Sequence, residues 1–553
     1  MSLLPLAAAA CGGDAPPPPG PAATGPGAGG IHFTDVTAGS GLTMTMTNGS
    51  DPPGWLLEVK GAGIALIDYD RDGDPDVFVP NGATVADPEH GPGCRLFENL
   101  GGMRFRDVTA AAGLDFHRWG YGVAVGDVDL DGWPDLFVTC YGRNALLRNT
   151  GGGFEEVTEA AGLADEAWST GCSFGDIDGD GDLDLYVVNY CRLDASRPSP
   201  RSRFLGADVF AGPMGLPKVA DVLYRNDGGR FTDVSEESGI RQRPAAWGLG
   251  AVILDFDGDR RPDIYVGNDS EASYFYRNLG GGRFEEIGIL GGVAFNAEGA
   301  GQATMGIAVG DVNGDGRPDL FTTNFMYDTN TLHVNRGNGF FEDRTMAYGL
   351  HLDSRPFLSW ATFFADFDHD ADEDLVFFNG HIYPRATCAE NGWDYAQVPV
   401  LYAREGDRFR RLSADEAGAW LAEPHCDRTA ALGDLDGDGD LDLVVGERNG
   451  PVRLLRNDCD GGDWLIVRLH DGRPGHEPDG IGAKLVLRAP GRVQRRWIAS
   501  GTSFLAANEL IAHFAFPAGV DAARLEVVWS DGYRQVVEPV RPRQRLVVER
   551  PAG

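Results

Sequence analysis

Lysine is scarce in this chain of 553 residues: three stand beside forty-four arginines, and the 47 basic side chains face 83 acidic ones for a formal charge of −36. Phosphate backbones need a concentrated basic surface, so a nucleic-acid partner is excluded. No run of 18 apolar residues occurs, and nothing reads as a membrane-spanning helix. Cysteines number eight with no CxxC pair, which argues against zinc and thiol-redox motifs. The eleven histidines form no HExxH pattern, and no glycine-rich phosphate loop opens a helix. Gly171-Cys172-Ser173-Phe174-Gly175 spells a nucleophile elbow, but in register Ser173 aligns with Ala124 and Ala308 on a strand, not at a strand-to-helix turn. No catalytic constellation is found.

Glycine is abundant (78) and proline numbers 33, a composition that suits many short strands joined by tight turns and points to an all-β fold. Charge is uneven: residues 461–553 sum to +3 and residues 1–460 to −39, which indicates two domains of different character. At the start, the apolar Met1–Ala10 leads into Cys11 and a Pro/Gly/Ala tether to residue 30. This resembles a bacterial lipoprotein signal with Cys11 as the lipidated residue, although no Lys or Arg precedes the apolar stretch. The resemblance implies an extracytoplasmic protein, lipid-anchored at the cell envelope or otherwise secreted or periplasmic, meeting a membrane only through that lipid.

One motif, Asp-x-Asp-x-Asp-Gly-x-x-Asp with small departures, recurs seven times at a mean period of about 61 residues. Its oxygen-bearing positions 1, 3, 5 and 9 are Asp68, Asp70, Asp72 and Asp76; Asp127, Asp129, Asp131 and Asp135; Asp176, Asp178, Asp180 and Asp184; Asp255, Asp257, Asp259 and Asp263; Asp311, Asn313, Asp315 and Asp319; Asp366, Asp368, Asp370 and Asp374; and Asp434, Asp436, Asp438 and Asp442. Apolar, β-rich stretches flank each copy, so the loop joins two strands. A second element ending in Asn follows, clearest in Leu146-Leu147-Arg148-Asn149 and loosest in Leu401-Tyr402-Ala403-Arg404; then comes a third, as in Phe154-Glu155-Glu156-Val157-Thr158. Each unit is four short strands. The first third-type element, Phe33-Thr34-Asp35-Val36-Thr37, precedes every loop, while the last second-type element, at Leu454, has no successor. The shifted frame predicts a seven-bladed β-propeller over 31–460, closed by the N-terminal strand, followed by a small β-rich domain over 461–553.

Carboxylates so closely spaced repel one another without a cation. An oxygen-only donor set with glycine at the bend fits a hard divalent ion, so up to seven Ca²⁺ are expected. An EF-hand is excluded, because position 12 is apolar or small (Val79, Val138) and the flanks alternate as strands. Arg260 and Ala371 stand where glycine is expected, which makes the fourth and sixth loops the weakest binders.

These loops resemble the FG-GAP/VCBS repeats of integrin-α-type propellers. Trp464–Leu469, Gly480-Ile481-Gly482-Ala483-Lys484 and Val528-Trp529-Ser530-Asp531-Gly532 resemble the ASPIC/UnbV domain, and Asn379-Gly380-His381-Ile382-Tyr383-Pro384 resembles a signature of the cartilage acidic protein family. Long connections at 189–221 and 379–398 fall on the face away from the Asp loops and are candidates for recognition, with His381 and Tyr383 as candidate ligand contacts, although the default reading of His381 is a structural hydrogen-bonding residue. Trp119, Trp168 and Trp247 each lie eight residues before their loop, at the opposite rim, where they either stack on a ligand or pack between repeats. Among Arg488, Arg492, Arg495 and Arg496 the default reading is solvated side chains, with a basic patch for the acidic repeats or an anionic glycan as the sharper one. The expected function is calcium-stabilised, extracytoplasmic binding of a protein or glycan partner, with no enzyme activity. The alternative is a carbohydrate-active enzyme of lyase or dehydratase type.

Overall fold

The computed structural model describes residues 30–163, 165–197 and 199–551. Cys11 and the tether ahead of Gly30 lie outside the described residues. Seven four-stranded antiparallel sheets follow one another along the chain. Their first strands begin with Ala65–Ile67, Gly120–Gly126, Ser169–Gly175, Gly248–Leu254, Ile307–Gly310, Ser359–Ala365 and Asp427–Gly433, and define sheets 1 to 7. In sheet 7 the outer strand is the N-terminal Phe33–Asp35, which pairs Phe33 with Asn457 and Asp35 with Leu455. The first strands touch in order from sheet 1 to sheet 7, and that of sheet 7 also touches that of sheet 1. Every residue of the first strands of sheets 2, 3 and 6 is buried, because neighbouring sheets cover both faces.

An asparagine ties each sheet to the one before it. Asn149 Nδ2 donates to Tyr69 O of sheet 1 at 2.7 Å, Asn226 Nδ2 to Val128 O of sheet 2 at 2.8 Å, and Asn278 Nδ2 to Ile177 O of sheet 3 at 2.9 Å. Asn335 and Asn457 repeat the bond to Phe256 O and Phe367 O, and Asn99 of sheet 1 donates to Leu435 O of sheet 7 at 2.9 Å. Sheet 6 breaks the series. Arg404 occupies the asparagine position there, and its guanidinium lies over the Tyr348 and Phe409 rings instead. Removing one of these amides leaves buried carbonyls short of a donor. Asn278→Ala is therefore expected to cost about 1–3 kcal/mol in chemical denaturation, while the same measurement on an exposed residue such as Glu285 should show a negligible change.

The C-terminal region forms two further sheets. One orders Arg492–Trp497, Lys484–Ala489, Ala523–Val528 and Arg534–Val540; the other places Asp463–His470 between Ala512–Phe516 and, in parallel, Gln544–Glu549. Between them, residues 500–509 run into the middle of the seven sheets. Ala507 O accepts from Leu66 N (2.9 Å) and Leu505 O from Val123 N (3.2 Å); Ser500 O accepts from Ser173 Oγ (2.8 Å), and Phe504 O from Thr429 Oγ1 (2.9 Å). Ser503 exchanges both backbone bonds with Ile307. Phe504, 1% exposed, meets Trp360 of sheet 6 edge-to-face at 5.0 Å. Gly501, with φ +80°, completes the circuit: a Cβ there would lie 2.6 Å from Ala251 O of sheet 4. The segment thus contacts all seven first strands.

Candidate metal centre

The Asp loops all sit between the first and second strands of their sheets, and backbone geometry gathers their oxygens. Position 6 adopts a left-handed φ in every copy, from +89° to +103° where it is glycine, as in Gly73 (+103°), Gly132 (+94°) and Gly316 (+89°). Arg260 (+72°) and Ala371 (+74°) take the same conformation with a Cβ, at a cost of about 1 kcal/mol each. The ninth residue is fully buried and pins the loop: Asp135 Oδ2 accepts from Val128 N (3.0 Å) and Oδ1 from Asn149 N (2.7 Å). Equivalent pairs hold Asp76, Asp184, Asp263, Asp319 and Asp442. The same residue that locks the turn therefore also helps to concentrate the charge.

Ligand atoms converge within 4.8 Å of one another in Asp68/Asp70/Asp76, Asp127/Asp129/Asp135, Asp176/Asp178/Asp184, Asp255/Asp257/Asp259 and Asp366/Asp368/Asp374. The fourth and sixth loops, expected to be the weakest, are among these. Asp72, Asp131, Asp180, Asp315, Asp370 and Asp438 each accept a backbone N–H two residues on, in a tight side-chain turn. Burial pushes the ninth aspartates up, to about 8 for Asp76 and Asp135 and about 9 for Asp184. Asp127 and Asp176 rise to about 6 by burial and by repulsion from their loop neighbours. Oxygens Oδ1 of Asp68, Asp129, Asp178 and Asp311 are buried without any hydrogen-bond donor. Unpartnered anionic oxygens among hard donors are what a divalent cation satisfies, so the residues present fit Ca²⁺.

Arginines of the C-terminal region dock on these loops. Arg468 Nη1 lies 2.5 Å from Asp68 Oδ2, Arg545 Nη1 2.7 Å from Asp434 Oδ2 and Arg495 Nη1 3.2 Å from Asp311 Oδ2. Arg492 pairs with Asp372 and Arg496 with Glu373, while Arg71 reaches back to Asp479 at 2.9 Å. The default reading of Arg492, Arg495 and Arg496 as solvated is corrected: they lie against the repeats because that acidic face is their nearest counter-charge. Arg488 pairs with Glu526 of its own sheet. Asp68 and Asp311 each offer one oxygen to a guanidinium of the C-terminal region and keep the other buried and unpartnered.

On the opposite face, the hairpin Arg201–Phe204 and Ala207–Phe210 folds over the 379–398 segment, setting Phe204 5.4 Å from Trp393 and Phe210 5.2 Å from Tyr383. His381 is wholly buried, with Nδ1 accepting from Tyr383 N (3.1 Å) and Nε2 facing Met326 Sδ (2.8 Å). Burial, then the nearby Arg428 charge, depresses its pKa to about 3, so it is neutral. Trp119 and Trp168 are buried against Tyr121 and Tyr190, and half-buried Trp247 lies beneath Lys218. Ser173 is buried on its strand. All seven described cysteines are free thiols, and only Cys459 is less than fully buried. The sequence reading missed the asparagine relay, although its signal was visible as an Asn at one fixed position of six repeats.

Comparison with known proteins agrees with this architecture. The FG-GAP-like repeat profile matches residues 68–138, 127–187, 255–322 and 311–377, and the ASPIC and UnbV profile matches 473–553. Together they define an FG-GAP repeat protein with an ASPIC and UnbV C-terminus. Cartilage acidic protein 1 of Mus musculus is 27% identical over 309 residues, covering 54% of this chain and 44% of that protein. The Homo sapiens protein of that name is 27% identical over 341 residues, 58% and 48% of the two chains. The chain belongs to the cartilage acidic protein family, and the match spans just under half the length of these relatives. A structure described as an Agrocybe aegerita lectin recognising non-reducing terminal N-acetylglucosamine covers 70% of this chain and 85% of that one at 16% identity. Its TM-score of 0.34 is too low to support an argument.

Proposed function

We propose that this is an extracytoplasmic interaction protein in which Ca²⁺ holds a seven-bladed propeller together and a C-terminal domain over 461–553 covers the face that carries the Asp loops. In this reading the seven sheets are blades, Phe33–Asp35 closes the ring, and residues 1–30 are leader and tether with Cys11 the lipid acceptor. The observation that carries it is the set of converging carboxylates with buried, unpartnered oxygens. Positions 1, 3, 5 and 9 of each loop would hold the ion, which supplies positive charge and no chemistry of its own. Seven ions would bring the formal charge from −36 to about −22.

With the loop face and the centre occupied by the chain's own C-terminal region, the connections 189–221 and 379–398 are left to meet a protein or glycan partner. Relatives named as a cartilage protein accord with an extracellular setting. Two measurements test the reading. Metal analysis of the purified full chain is expected to return several Ca²⁺ per molecule, and essentially none would overturn it. A protein and glycan array probed with and without chelator is expected to show a partner lost on chelation and on deletion of the 201–210 hairpin; a signal indifferent to both would remove the proposed face.

A further inference from the structure

A cleft of about 680 Å³ separates the Asp loops of sheets 3 to 5 from the four-stranded C-terminal sheet. That is the size of a pocket for an organic ligand, and boundaries between folded units are a common place for one. Its lining carries the sign opposite to that of the molecule. Six basic residues, Arg260, Arg317, Lys484, Arg488, Arg495 and Arg534, meet three acidic ones, Asp176, Asp255 and Glu526. Arg317 and Arg495 pair with Asp315 and Asp311 beside the cleft, but pairing does not exhaust the other four. Arg534 and Arg488 share the single carboxylate of Glu526 at 2.7 and 3.7 Å, and Lys484 Nζ donates to a neutral carbonyl, Gly316 O.

Arg260 is the decisive residue. It occupies the left-handed bend where five of the seven loops have glycine, with the strain that a side chain brings there. Its guanidinium reaches across the cleft, so that a Cβ on Gly532 of the C-terminal region would lie 3.1 Å from Nη1. Among the described residues it has no carboxylate oxygen within 4.0 Å. A strained arginine with no internal partner, facing a basic lining, is arranged for an anion from outside. The half-buried Trp497 also lines the cleft, with Lys484 Nζ 5.2 Å from its ring, and adds a flat apolar face beside the charges.

We propose that this interdomain cleft binds a short acidic saccharide, its carboxylate or sulfate groups held by Arg260 with Arg488 and Arg534 and its ring set against Trp497. Guanidinium forks match such groups in bidentate fashion, and a sugar ring presents C–H faces to an indole. A long polyanion is disfavoured because residues 1–460, which form one wall of the cleft, sum to −39; a ligand of two or three sugars fits the cleft itself. The site lies away from the 189–221 and 379–398 connections and does not depend on what they bind.

The test is calorimetry on the full calcium-loaded chain, titrated with a uronate-containing disaccharide, its sulfated form, a neutral disaccharide of the same size and inorganic sulfate. Saturable, salt-sensitive binding of an acidic disaccharide is expected, with the neutral one silent and inorganic sulfate much weaker. Arg260→Gly introduces the residue that five other loops carry, so it should melt no lower than the parent and yet lose affinity about tenfold or more, the worth of one charge-assisted contact. Arg488→Ala should weaken binding without touching any Asp loop. Equal binding of the neutral sugar, equal binding of inorganic sulfate, no binding of either acidic sugar, or unchanged affinity in Arg260→Gly would each overturn the proposal.

Discussion

Chelation at pH 8 is expected to unfold the protein or lower its thermal midpoint by tens of degrees, whereas chelation near pH 5 should do much less. The seven loops hold twenty-seven carboxylates and one amide at their ligand positions. For one site, ligand at a thousand times its Kd adds about 4.1 kcal/mol, so a few sites account for a typical folding free energy of about 5–15 kcal/mol. The pH dependence follows from protons taking the cation's place. Asp76 and Asp135 titrate at about 8, Asp184 at about 9 and Asp127 and Asp176 at about 6 in the fold, all raised by burial above their unfolded value near 3.9. Across that window the metal-free folded chain binds more protons than the unfolded one. The contribution of these groups is therefore fully present below about pH 4 and is lost as pH rises toward 9. Calorimetric scans at pH 5 and pH 8, with Ca²⁺ or chelator, read the difference directly, and a chelator effect of equal size at both pH values would falsify this account.

Phe504→Ala should be the most damaging single truncation outside the loops, at about 3–5 kcal/mol in denaturant midpoints taken with Ca²⁺ present. Its ring fills the middle of the seven sheets against Trp360, and its carbonyl binds Thr429 Oγ1. Neither cavity nor lost contact is easily repaired, because the strands around it are locked by the asparagine relay. Phe340→Ala, at a residue 51% exposed, serves as the control and should shift stability by no more than about 0.5 kcal/mol. A change below about 1 kcal/mol for Phe504→Ala would show that residues 500–509 are a passenger in the fold.

Much of the architecture was legible because repetition multiplies weak local signals. One Asp-rich turn is ordinary, but seven in register, each between β-rich stretches, set the element type, the period and the hairpin connections. The shifted count of third-type elements placed Phe33–Asp35 beside Leu454–Asn457, the pairing the structure has. The arginines read differently. Arg492, Arg495 and Arg496 look like ordinary surface charges of a basic segment, and only their approach to Asp372, Asp311 and Glu373 reveals them as docking groups. His381 and Tyr383 stood out for their unusual motif, yet burial beneath the 201–210 hairpin is a property of a long insertion whose path no periodicity encodes.

By itself, then, the chain's order of residues determined the all-β class, the sevenfold loop and its oxygen donors, because strand alternation, turn chemistry and the spacing of carboxylates act within a dozen residues. Only the tertiary structure decided that residues 500–509 fill the centre and that Arg468, Arg495 and Arg545 settle on Asp68, Asp311 and Asp434. The arginine–aspartate partners are separated by 111 to 400 residues and Phe504 from Thr429 by 75, and their meeting depends on how the sheets bring distant charges and apolar side chains to one place.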